Sequence, residues 1–159
     1  MTTANMEEQA FKPYQFRTHA RTITETDIVS FVNLIGLHEP FFIDMEFIKE
    51  SMQGRNRERF APGVMLISLG QGLVSTQMMS IVDHLIDGHS VGKFAGMTGI
   101  DSKIKGSVFV DDTVHVEGEA RITRVTSKGM TVMNIVHHLI NQQGEEVCEF
   151  TETVLFYAP

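Results

Sequence analysis

Two ionisable side chains, His38 and Glu39, sit next to each other in the stretch GLHEPFFID that runs from Gly36 to Asp44. A histidine with its ordinary pKa of about 6.5 exchanges protons at neutral pH, and an adjacent glutamate offers a second acid–base group. That pair suits proton transfer to and from a bound molecule. The same residues also suit a solvated turn beside a hydrophobic corner made by Phe41 and Phe42, and residue types alone leave both readings open. Other chemistries fail on spacing. His38-Glu39 begins like a zinc-binding helix motif, but the second histidine is missing and Pro40 would break the helix. His84 and His89 stand apart from any thiol or ligand cluster. His137 and His138 are neighbours in a β-rich stretch and so point to opposite faces. Gly92, Gly96 and Gly99 do not match a dinucleotide fingerprint, no phosphate-loop Lys-Ser/Thr pair follows them, and no Gly-x-Ser-x-Gly elbow exists. Cys148 lies in a strand-like run and is expected to be buried and inert. No metal site is expected.

The elements that would position His38 and Glu39 are legible on either side. Thr24 with Asp27 three residues on forms a capping box, and Ile28, Phe31, Val32 and Ile35 keep helical spacing up to Gly36, a natural stop. Asp44 can cap a short helix, MEFIKESM. A polar loop with Arg55, Arg57 and Arg59 follows. Pro62, at the first helical position, and Gly63 then open the longest apolar segment, residues 62–87. It is read as one buried central helix, with Ser68, Gly70 and Gly72 allowing close contact. A bilayer span needs about 20 apolar residues, and Gln71, Ser75, Gln77 and Ser80 interrupt this run. Residues 16–23 read as a first strand. The remainder reads as strands over 91–100, 102–110, 113–125, 129–141 and 146–158. Val114, Val116, Ala120 and Ile122 take one face; His115, Glu117, Glu119, Arg121 and Thr123 take the other. The expectation is an α+β fold, an antiparallel sheet wrapped around a long hydrophobic helix, in a single domain over 13–159 after a tail over 1–12.

Composition narrows the classes. A chain of 159 residues is most naturally one domain that buries about 70% of its unfolded surface. A net charge of −7 and a pI near 5.4 give no nucleic-acid footprint. One cysteine excludes an internal disulfide and fits a reducing compartment. The polar, acidic start MTTANMEEQA lacks a signal peptide's apolar core, so the cytoplasm is expected, with no membrane partner. Ten methionines and eleven phenylalanines without a tryptophan read as adaptable core filling.

From about Phe16 onward, the order of these features resembles the MaoC-like (R)-specific enoyl-CoA hydratases and dehydratases of the hot-dog superfamily. The resemblance implies a hot-dog fold and a homodimer or larger assembly. It also implies an acyl thioester of coenzyme A or acyl carrier protein as ligand, with coenzyme A entering only as part of the substrate. In that family the loop reads Gly-Asp-x-Asn-Pro-Leu-His-x-Asp. Gly36, Pro40 and Asp44 keep its frame, but the catalytic aspartate falls on Leu37, the asparagine on Glu39 and the catalytic histidine on Phe42. Gly63 matches the family's oxyanion-hole glycine, and a family serine falls at Gln71. The implied site is therefore His38, Glu39 and Gly63 for catalysis, with Leu37, Phe42 and Gln71 lining the pocket. Arg55, Arg57, Arg59, Lys103 and Lys105 are the candidates to meet the ligand's phosphates. Three functions follow: a hydratase or dehydratase with a substituted loop, a non-catalytic subunit partnering an intact hydratase chain, or a thioesterase using Glu39, Asp44 or Glu46.

Overall fold

In a computed structural model of the chain, residues 13–51, 58–86 and 91–159 are described. The first element is β1 (Tyr14–Arg17), followed by a two-residue β2 (Arg21–Thr22). The single strand expected over 16–23 is thus split. Thr18 lies in the break, where its hydroxyl accepts the Val116 amide at 2.9 Å and its own amide donates to the Val116 carbonyl.

Helix α1 (Glu25–Ile35) starts as the sequence dictates. The Thr24 hydroxyl accepts the Asp27 amide at 3.2 Å, and the Asp27 carboxylate accepts the Thr24 amide at 2.9 Å. At its end Gly36 takes the left-handed conformation with φ of 69°, which glycine adopts without steric cost. The segment after it is less open than expected. Pro40 fixes the first position of a one-turn helix, α2 (Pro40–Ile43). Asp44 then caps α3 (Met45–Ser51), its carboxylate accepting the Glu46 and Phe47 amides at 3.0 Å each.

The long apolar segment forms two helices, α4 (Gly63–Ser75) and α5 (Met78–Ile86), whose axes differ by 67°. Pro62 is the N-cap residue, one position earlier than expected. The hydroxyls of Ser75 and Thr76 bond back to the carbonyls of Gly72 and Leu73, which draws the last turn of α4 closed. Neither helix alone is long and apolar enough to cross a membrane.

Four long strands complete the chain: β3 (Phe94–Ile104), β4 (Thr113–Val125), β5 (Thr131–Asn141) and β6 (Glu146–Phe156). The two strands expected over 91–100 and 102–110 are one strand, β3, after which residues 105–112 leave the sheet. All pairs are antiparallel in the order β1-β4-β5-β6-β3, with β2 also on β4. The alternation read along β4 holds: Val114, Val116, Ala120 and Ile122 are buried and face the helices. Helix α4 lies close on this face. A β-carbon at Gly70 would come within 2.6 Å of the Phe150 ring, so only glycine fits there. Gly72, also expected to serve close contact, meets nothing within 4 Å. The core between sheet and helices includes Ile23, Ile28, Leu66, Val74, Met133, Ile135, Leu139 and Phe150.

Candidate functional site

The loop after α1 is fastened to the entrance of α4. The Arg59 guanidinium donates to the Phe42 carbonyl and, through Nε, to Glu25 at 3.2 Å. The rings of Phe42 and Phe60 pack with centroids 5.4 Å apart, and Phe60 bridges to Phe109. The Ala61 amide donates to the Val108 carbonyl at 2.8 Å, and Pro62 and Gly63 follow at once. Leu37 and Phe42 are half-buried against the core. His38 and Glu39 are exposed, and neither side chain has a hydrogen-bond partner among the described residues. The structure thus brings the two ionisable groups to the rim of a docked loop without joining them to each other.

Gly63 begins α4 with no side-chain cap, so the first amides of the helix keep their donors and the positive end of its dipole. A β-carbon at Gly63 would stand 3.1 Å from Ile104 on β3. The helix start is therefore pressed against the edge strand. Gly63, Ile67 and Gln71, four residues apart, share one face of α4, and Gln71 lies about 12 Å further along it.

Among the described residues, the expected phosphate-binding cations do not converge on this point. Arg59 is only 12% exposed and is engaged in holding the loop. Lys105 is paired with Glu146 at 2.6 Å and also with Glu149, and these hydrogen bonds, Glu146 first, raise its pKa. Lys103 is exposed, but alternation along β3 places it on the opposite face from Ile104 and Gly63. Arg55 and Arg57 lie outside the described residues. Of the carboxylates considered for hydrolysis, Asp44 is occupied as a cap and Glu46 is paired with Lys49. His138, Glu146 and Glu149 have donor atoms within 4.8 Å of one another, as a metal ion would need. The Lys105 ammonium already pairs with both carboxylates.

Two buried titratable groups are not among the candidate site residues that the sequence offers. His137 is fully buried, stacked on Phe150 with centroids 4.1 Å apart, and its Nδ1 lies 3.0 Å from the Ile135 carbonyl. Burial pushes its pKa down to about 4. Glu152 is 2% exposed, with one carboxyl oxygen buried and unpartnered, and burial raises its pKa. It forms part of the wall of a cavity of about 580 Å³ between α5 and the ends of β3, β5 and β6. Its signal was in the strand phase. Cys148, Phe150, Val154 and Phe156 alternate inward along β6, and a glutamate stands in their row. Cys148 is buried as expected, with burial pushing its pKa up to about 11.

Neither a family model nor a curated protein matches the chain. Solved structures do. A monoamine oxidase regulatory protein from Archaeoglobus fulgius superimposes with a TM-score of 0.71 at 26% identity, over 97% of this chain and 94% of that one. A MaoC-like dehydratase from Rhodospirillum rubrum gives 0.68 at 18% identity over 97% of each chain. The HadBC 3R-hydroxyacyl-ACP dehydratase complex from Mycobacterium tuberculosis gives 0.67 at 15% identity, over 93% of this chain and 98% of that one. The chain has the MaoC-like hot-dog fold. In hot-dog terms, α4 with its broken continuation α5 is the sausage and the six-stranded sheet is the bun.

Proposed function

We propose that this chain binds an acyl thioester at the start of α4 and that its reaction class, when it acts on one, is hydration of an enoyl group or dehydration of a 3-hydroxyacyl group. The observation that supports this most is the docking of the substituted loop beside an uncapped helix N-terminus. Arg59 and Phe60 fasten the loop at Phe42 just before α4 begins at Gly63, whose amide can meet a thioester carbonyl as negative charge develops on its oxygen. Hydration also requires a base for water and an acid for the α-carbon. Leu37 and Phe42 can be neither, so His38 and Glu39 are the loop's groups for that role. No cofactor is required beyond the thioester's own carrier.

Titration with crotonyl-CoA and longer enoyl-CoAs, together with loss of enoyl absorbance, tests this. Gly63→Pro removes the amide donor at a position where the backbone of the helix start admits proline; Gly63→Ala retains it and places the same β-carbon 3.1 Å from Ile104, so the comparison isolates the donor. Affinity should fall about tenfold in the first and much less in the second. His38→Ala or Glu39→Gln should lower turnover about a hundredfold with binding nearly unchanged. If no enoyl-CoA or 3-hydroxyacyl-CoA binds, the proposal fails.

A second reading is favoured by the core packing of Leu37 and Phe42 and by the exposure of His38 and Glu39. Here the chain is the non-catalytic subunit of a heteromer whose partner holds the intact Asp…His loop. The heteromeric likeness noted above supports it. Co-purification with such a chain, and hydration only by the reconstituted pair, would establish it over the first.

A further inference from the structure

The cavity beneath α5 is walled by Met78, Met79, Val82, Met97, Met133 and Phe156, and into this apolar lining come Glu152 and Gln71. Every other inward position of β6 from Cys148 to Phe156 is apolar, so packing alone gives no reason for a carboxyl there. A leucine would fill the same row without the cost of a polar group that lacks a hydrogen bond. A local rule broken without a compensating contact is the signature of a ligand site. We infer that this cavity receives an apolar ligand bearing one hydroxyl, which hydrogen-bonds to Glu152 and to the Gln71 amide.

The chemistry favours a hydroxyl over a cation. Among the described residues no Lys, Arg or His lines the cavity, and burial raises the Glu152 pKa, which favours its neutral carboxyl. A neutral carboxyl donates its O–H to a hydroxyl oxygen, and the Gln71 carbonyl accepts the hydroxyl proton. An ammonium would have to ionise Glu152 and lose its own hydration in an apolar pocket, with exposed Asp83 as the only other carboxylate among the described residues of the lining. The inference stands on the cavity by itself. Joined to the thioester reading, on which this last step rests, it makes the substrate an acyl group hydroxylated at its far end. The shared α4 face of Gly63, Ile67 and Gln71 leads from the carbonyl to that end.

The test uses the free alcohol, so it is independent of any thioester binding. Protein labelled at the methionine methyls is titrated with hexane, hexanol and hexylammonium and followed by NMR. Hexanol is expected to shift the Met78, Met79, Met97 and Met133 signals and to bind about tenfold more tightly than hexane, the worth of one or two buried hydrogen bonds. Glu152→Leu should erase that preference while leaving hexane binding intact; Glu152→Gln should keep most of it. Equal affinity for hexanol and hexane, tighter binding of hexylammonium, or no shift at these four methionines overturns the inference. Failure of enoyl-CoA binding with this result intact would remove the thioester reading alone.

Discussion

His137 is held neutral by its surroundings, and that has a measurable sign. Folded, it binds a proton only near pH 4; unfolded, it does so near its usual 6.5. Between those values the unfolded chain carries the extra proton, so stability falls as pH drops from about 6.5 to about 4 and then levels off, a loss of up to about 3 kcal/mol. Glu152 has the opposite slope. It retains its proton above 4.5 when folded, so its contribution weakens as pH rises through its raised pKa. Urea unfolding of His137→Leu beside the parent protein isolates the histidine: the variant should lack the acid-side decline. Identical pH profiles from 4 to 6.5 would assign the decline to other groups. At this scale the sequence was only partly legible. Adjacent His137 and His138 had to face opposite ways, and they do: His138 reaches Glu146 at 2.6 Å on the outer face. The burial of Glu152 could not be read until the phase of β6 was known.

Elements were more legible where local chemistry decides them. The Thr24–Asp27 box, the Gly36 stop and the Asp44 cap follow from side chains within four residues, and all three stand where the sequence put them. Long-range packing decided the others. After Pro62, the apolar run over 62–87 carries no further proline to announce the bend between α4 and α5. The merger of two expected strands into β3 depends on its pairing with β6. The same distinction separates two glycines of α4. Gly70→Ala would drive a methyl into Phe150 and should destabilise the fold by about 1–3 kcal/mol. Gly72→Ala meets open space and should stabilise the helix by up to about 1 kcal/mol. Thermal unfolding of the two variants reads this contrast directly; equal effects would mean that α4 can move off the sheet without loss.

For the molecule as a whole, β3 is the feature that asks for a partner. It is an eleven-residue edge paired, among the described residues, only with β6, and Phe94, Met97, Ile100 and Ile104 on it are 62%, 44%, 40% and 46% exposed. An apolar edge of this length invites a second strand. Two copies joined there about a twofold axis would continue the sheet. Sedimentation should therefore show a species of twice 17.8 kDa or more at micromolar concentration, and Ile100→Lys should shift it toward the monomer. A parent protein that sediments only as a monomer would sink this. The sequence supplied the hydrophobic residues of β3 but not their exposure, which follows from its place at the end of the strand order.

The 67° bend separates two duties that one straight helix would have to combine. Apart from Gln71, whose side chain reaches the cavity, α4 is committed to the sheet, where a side chain at Gly70 would meet Phe150. Helix α5 roofs the cavity through Met78, Met79 and Val82. Pocket shape can therefore drift in the lineage of this protein by exchanges on a nine-residue helix, while the scaffold beneath it is inherited unchanged.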